Sequence, residues 1–387
     1  MAWSVCAGWG ENLPMTVVAR FGAGCFYFVP LGIARDAQSW ERFVKAELEK
    51  IPSVSEIEFA LDGGWVGADE VKVLEGDLPD DLQVIQPGGG TLTFEVTIPL
   101  RVQEGLFGAV APILDCTQFR LITYYEFEGP ATIVRCLEGD LAENDPSDAV
   151  FLVREFLENE LRTRRESRLK LVTVGPSPFH ANFSVVDDAA DLNEGKASPL
   201  GNMLFERRGQ LGYAEYLFHK ERSAESVAEF ARSVPPILAR QLAFFYSLSV
   251  ARAIRIKNAD VAERAREELV KRYRAHGLGA LLYRLFRSGR AARNTLILVI
   301  ELENTESRHK RQYENGLREF ESQGEEVAIL GEMKEAAEFS QLDDLKSARE
   351  TVVALDEVRK KEFEVAVVSL STLLGAAAGA VASLLSG

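Results

Sequence analysis

Few places in this chain could do chemistry. The densest run of reactive residue types is Gly175-Pro176-Ser177-Pro178-Phe179-His180-Ala181-Asn182-Phe183, which follows a predicted strand. Loops after strands often carry binding sites. Ser177, His180 and Asn182 therefore form a candidate ligand loop, with His180 as its base. A rigid strand-connecting turn would use the same residues. Glu126 and Glu128 lie two apart, as paired carboxylates do, and an exposed sheet face accounts for them equally. Gly22-Ala23-Gly24 lacks the third glycine of a dinucleotide fingerprint. Gly195-Lys196-Ala197-Ser198 lacks the upstream glycine of a phosphate-cradling loop, because Ala190 stands in that place. Both read as turns. There is no Gly-x-Ser-x-Gly elbow. Cys6, Cys25, Cys116 and Cys136 form no CxxC pair and have no metal-ligand spacing to His180, His219, His276 or His309. They read as buried thiols of a reducing compartment. No catalytic residue, metal or cofactor is assigned, and a non-catalytic protein is favoured over an enzyme.

The elements that would position these residues belong to a chain of 387 residues, long enough for two or three domains. Hydrophobic residues make up 47% and charged residues 27%, which rules out global disorder, collagen and disulfide-scaffold classes. The 44 Lys and Arg face 59 Asp and Glu, a net charge of −15, which argues against coating nucleic acid. Residues 1–150 hold 9 basic and 24 acidic residues, so the whole excess lies there. Between Arg252 and Arg293 stand 12 Lys or Arg and 4 Asp or Glu, a basic island of net +8. A solvated helical face explains the island. A sharper reading has Arg284, Arg287, Arg290 and Arg293 touching anionic lipid or a phosphate ligand. The N-terminus lacks a charged region followed by an apolar core, so no signal peptide is expected.

Hydrophobic spacing predicts an α+β N-terminal domain over 1–190, acidic and suited to sensing or binding. It is followed by a mainly α-helical domain over 191–362 carrying the basic island 252–293. Thr16–Ile33 reads as one or two strands broken near Gly22 and Gly24. Asp36–Ile51 reads as an amphipathic helix through Trp40, Val44 and Leu48, and Asp148–Arg164 as another helix. Ser55–Leu61, Thr91–Val102, Gln118–Phe127, Leu169–Val174 and Asn182–Val186 read as strands. Residues 187–212 read as a polar loop or boundary. Beyond it come separate helices over Ser223–Arg232, Pro235–Ile256, Ala259–His276 and Leu278–Arg287. Thr295–Ile300 fits either a strand or a buried helix. Leu345, Ala348, Val352 and Leu355 form a seam that packs a helix against a partner.

The strongest signal is the hydrophobic C-terminal helix over 363–387. Val365 to Leu385 is 21 residues without a charge. At 1.5 Å per residue that spans about 31 Å, matching a hydrocarbon core of about 30 Å. Arg359-Lys360-Lys361 precede it, as positive flanks do on the cytoplasmic side. Nine of the 21 are Leu or Val and twelve are Ala, Gly, Ser or Thr. Insertion therefore gains only about 3 to 5 kcal/mol from the nine. Gly375, Gly379 and Ser383 are spaced by four, a small-residue row that lets helices approach closely in lipid.

These features predict a protein at the cytoplasmic face of the cell membrane, held there as by a tail anchor. Its expected partners are the lipid bilayer, further copies of itself in a homo-oligomer, and a protein or small-molecule trigger, with no nucleic acid. The layout is similar to that of the sensor-plus-membrane-helix effectors of bacterial immunity and antiviral defence, although no motif supports assigning it to a family. The competing reading is a soluble ligand-binding protein or enzyme whose C-terminal helix belongs to the core or to an oligomer interface.

Overall fold

A computed structural model gives the fold. It describes residues 17–32, 36–67, 84–107, 114–139, 145–164, 166–174, 180–187, 198–200, 203–210, 213–220, 226–275, 277, 283, 288–322, 327–338 and 342–386. The N-terminal half holds a mixed sheet, and the C-terminal half is mainly helical. The chain forms two units, Met1–Ala251 with Asn315–Ala336, and Arg252–Glu314 with Ala337–Gly387.

In the first unit the described strands are β1 (Val17–Gly24), β2 (Phe26–Pro30), β3 (Val54–Leu61), β4 (Trp65–Gly67), β5 (Ile85–Pro87), β6 (Gly90–Thr97), β7 (Gln118–Glu126), β8 (Gly129–Cys136), β9 (Leu169–Thr173), β10 (His180–Val186), β11 (Ser198–Leu200), β12 (Met203–Gln210) and β13 (Tyr213–Lys220). Nine of them form one sheet in the order β11-β12-β13-β10-β1-β8-β7-β6-β3. Its pairs are antiparallel except β10–β13, which is parallel. β2 pairs with β9, and β4 with β5.

Two helices supply much of the packing against this sheet. Helix α1 (Ala37–Leu48) starts at a capping box, in which Ser39 N donates to Asp36 Oδ1 at 2.7 Å and Asp36 N to Ser39 Oγ at 3.1 Å. The predicted stripe Trp40, Val44 and Leu48 is fully buried. A short helix α2 (Leu100–Phe107) follows β6, so the expected strand over Thr91–Val102 is cut short where Pro99 has no N–H for a ladder. Helix α3 (Pro146–Thr163) begins at Asp145 with Pro146 in its first turn. It shares one core with α1, including Phe94, Phe119, Leu121, Leu152 and Phe156.

Gly22 and Gly24 are strand residues and not the turn expected from the sequence. A Cβ on Gly22 would fall inside contact distance of the Pro146 carbonyl oxygen and 2.6 Å from Val150 Cγ2. The glycine thus lets the start of α3 lie directly on β1. The sheet also runs past residue 190, through β11, β12 and β13 to Lys220. The polar, breaker-rich composition of 187–212 conceals two of these strands.

Helix α4 (Val227–Arg274) is continuous through Pro235 and Pro236, where separate helices were expected. Pro235 has no N–H to offer the Ala231 carbonyl. Arg135 Nη2 donates to that oxygen at 3.4 Å instead, while its guanidinium lies over the Phe21 ring. Helix α5 (Ser288–Ser322) takes in Thr295–Ile300, which is therefore helical, with Val299 buried. Helix α6 (Leu330–Glu338) contains Gly331, and its Glu332 pairs with Arg207 at 2.9 Å.

The second unit packs the Arg252–Arg274 part of α4, the first part of α5 and the start of α7 (Leu342–Ser386). The predicted seam supplies its core. Leu345 and Ala348 pack with Ala262 and Val299, while Val352 and Leu355 pack with Leu269 and Ala292. Between α4 and α5, Arg255 Nε faces Glu306 Oε2 at 3.3 Å, with side-chain exposures of 5% and 6%.

Candidate functional site

The candidate ligand loop is only partly within the described residues. Ser177 lies outside them, and of His180 only the backbone is described, paired with Tyr213 at the start of β10. Asn182 has a structural task. Its Oδ1 accepts from Ser147 N at 3.0 Å, and the same N–H donates to Asp145 Oδ1 at 2.9 Å. Asn182 thus helps Asp145 satisfy the first turn of α3, whose early N–H groups have no helical partner. It points at the N-terminus of α3.

Glu126 ends β7, and Glu128 lies in the turn to β8, beside the exposed tip residue Phe127. Burial raises the pKa of both carboxyls. The Glu128 charge and Asp62 push Glu126 further up, and Arg240 pulls it down. For Glu128, a backbone hydrogen bond and Arg240 act downward, and Glu319 upward. Arg240 itself pairs with Glu319 at 2.7 Å and stacks on Phe320. The pair is therefore an acidic hairpin tip compensated by one arginine. No group of three or more His, Cys, Asp or Glu among the described residues could hold a metal ion.

The other candidate lies at one end of the second unit. Tyr273 Oη and Ser288 Oγ are 3.1 Å apart, which brings the end of α4 to the start of α5. A Cβ on Gly289 would meet the end of the Arg359 side chain, so α7 passes here as well. Basic residues converge at this level from all three helices. Lys271, Arg272 and Arg274 occupy the last turn of α4. Arg290 and Arg293 are exposed in the first turns of α5. Arg359 and Lys360 share Asp356 at 2.9 and 3.0 Å. Arg284 and Arg287 lie outside the described residues. A cleft of about 770 Å³ between α4 and α7 is lined by Arg266, Lys271, Arg274 and Thr351, with Glu267.

Past this level α7 leaves the core. Val365, Val368, Leu370, Leu373 and Leu374 are each 59–68% exposed. A Cβ on Gly375 would meet nothing within 4 Å. Gly379 and Ser383 continue the helix, with their surroundings outside the described residues. A helix apolar all round is normally buried in protein or lipid, yet here the described residues beyond Val367 are exposed. Among the described residues, one helix, Ala228–Arg274, passes the length and hydropathy test for a membrane span, with 67% of its apolar window buried in the protein. That burial fits a core helix. Comparisons with protein-family models, with curated proteins and with solved structures gave no match.

Proposed function

We propose that the protein attaches to the cytoplasmic face of a membrane through residues 365–385 of α7, and that its first unit senses a trigger. The observation that carries this reading is a charge-free, 21-residue stretch held in one helix, with the side chains from Val367 to Ala378 exposed. Water is a poor solvent for such a surface, and a bilayer matches both its length and its composition. The basic residues at its base support the same reading. Arg290, Arg293 and Arg359–Lys361 stand where anionic headgroups would meet them. Arg284 and Arg287 belong to the same proposed contact. Copies then associate through Gly375, Gly379 and Ser383 into an oligomer that perturbs the membrane, in the manner of a bacterial immune effector. No catalysis, cofactor or nucleic acid enters this reading.

The test is flotation of the full chain with vesicles containing anionic lipid, compared with Leu374→Arg. One arginine at a span's centre costs about 2.5–3.5 kcal/mol, which offsets most of the insertion gain. Leu374 is 62% exposed, so the substitution leaves the fold intact. Flotation of the parent with loss in the variant supports attachment. Equal flotation of both, or of neither, removes it. If Leu374→Arg instead splits a soluble oligomer, α7 is a protein interface. Within the membrane reading, Gly375→Ile with Gly379→Ile keeps flotation and abolishes cross-linked oligomers and vesicle leakage.

A further inference from the structure

Two cysteines that the sequence gives no reason to connect meet in the first unit. The Cys116 and Cys136 thiols are hydrogen-bonded to each other. Three contacts fix this meeting. As a thiol, before it loses its proton, Cys116 donates from Sγ to Gln118 O at 2.9 Å. The same oxygen accepts from Leu137 N, also at 2.9 Å, and Leu137 directly follows Cys136. Phe119 is the register partner of Cys136 across the β7–β8 ladder. The segment before β7 therefore folds its sulfur back onto the last residue of β8. Gln103, itself fully buried, holds this segment in place by donating to the Cys116 carbonyl at 2.8 Å and to the Ile98 carbonyl at 3.0 Å.

We propose that Cys116 and Cys136 are a redox-active dithiol that a hydroperoxide converts to a disulfide. The inference does not rest on membrane attachment. Cys116 is the nucleophile. The hydrogen bond from Cys136, and then backbone hydrogen bonds from Glu138, Gln118 and Leu137, gather around its sulfur and favour the thiolate against the effect of burial. Cys136 keeps its proton and is partly exposed, which gives a small oxidant its way in. The Cys116 thiolate attacks the near peroxide oxygen and the O–O bond breaks. Cys116 becomes a sulfenic acid, and the leaving alkoxide or hydroxide takes the Cys136 proton. The Cys136 thiolate then attacks the Cys116 sulfur, the S–S bond forms, and hydroxide leaves to become water. In total, two thiols and one hydroperoxide give one disulfide, one alcohol or water, and one water. The sulfurs have only to close from hydrogen-bond contact to a bond of about 2.05 Å. Cys25 is the internal contrast. It is as buried as Cys116, but its side-chain hydrogen-bond partner is Tyr27 and not a second thiol, and burial pushes its pKa far up, so it stays a protonated thiol under the same oxidant.

The test treats the full-length chain with a small excess of hydrogen peroxide, then alkylates it with N-ethylmaleimide under denaturing conditions and maps the peptides. The expected product is two hydrogens lighter, carries a Cys116–Cys136 linked peptide, and returns to four alkylated cysteines after dithiothreitol. In Cys136→Ser the expected product is a stable Cys116 sulfenic acid, trapped by dimedone, which the parent does not accumulate. Four alkylated cysteines after peroxide, or a linkage through Cys6 or Cys25, overturns the proposal. The parent's peptide map decides this even if the variant does not fold.

Discussion

Arg135 donates to the Ala231 carbonyl, the oxygen that Pro235 leaves without its helical partner. One strand residue thereby satisfies the defect in a long helix. Arg135 also sits over Phe21, and burial lowers its pKa, so the site is largely desolvated. Arg135→Met, which keeps the length and removes the donor, is expected to cost about 1–3 kcal/mol. Urea denaturation checks this, and a loss below the error of the midpoint would show that the carbonyl is satisfied elsewhere.

Close approach of α3 to β1 depends on glycine. Gly22→Ala sets a methyl against the Pro146 backbone, which cannot turn aside, and is expected to cost about 1–3 kcal/mol. Gly24→Ala meets a Val150 side-chain methyl group at 2.9 Å and should cost less, because a side chain can rotate. Thermal melts of the two variants should rank in that order.

The Arg255–Glu306 pair is buried at both ends. Glu306→Ala removes the carboxylate that faces a buried guanidinium and is expected to cost about 3–5 kcal/mol. Arg255→Met with Glu306→Leu should recover most of it, because neither charge then needs solvation. A double-mutant cycle by denaturation measures both effects.

His309 sits close to this pair. Burial first, then the charges of Arg255 and Arg308, hold its imidazole below the ordinary value of 6.5. The folded state therefore keeps His309 neutral over a range in which the unfolded state binds a proton. Its contribution is constant above the unfolded value and is lost as pH falls from there toward the folded value. His309→Gln should flatten the fall in stability between about pH 7.5 and about pH 5.5 relative to the parent. Parallel slopes would mean that His309 is solvated.

Much of this fold was legible in the sequence, because strong periodicity reports one buried face. The α1 stripe of Trp40, Val44 and Leu48 and the α7 seam of Leu345, Ala348 and Val352 read directly as core. Tertiary context overrode local rules elsewhere. Pro235 and Pro236 were expected to break α4, and no local pattern reveals that Arg135 bridges the gap. Strands β11 and β12 lie in a segment whose composition resembles a loop, and β12 finds its order by pairing with β13. Asn182 was singled out by its chemistry, and its role depends on Ser147, in the first turn of a helix, 35 residues earlier in the chain. The pairing of Cys116 with Cys136 follows from a hairpin register that spacing alone does not give.

The most direct test of the central claim is carbonate washing of membranes from cells expressing the full chain, compared with a chain lacking residues 365–387. The account predicts that the full chain stays in the washed pellet, and that the shortened chain is soluble and melts cooperatively. Release of the full chain by carbonate would contradict membrane attachment. So would aggregation of the shortened chain, since α7 would then be needed for the fold.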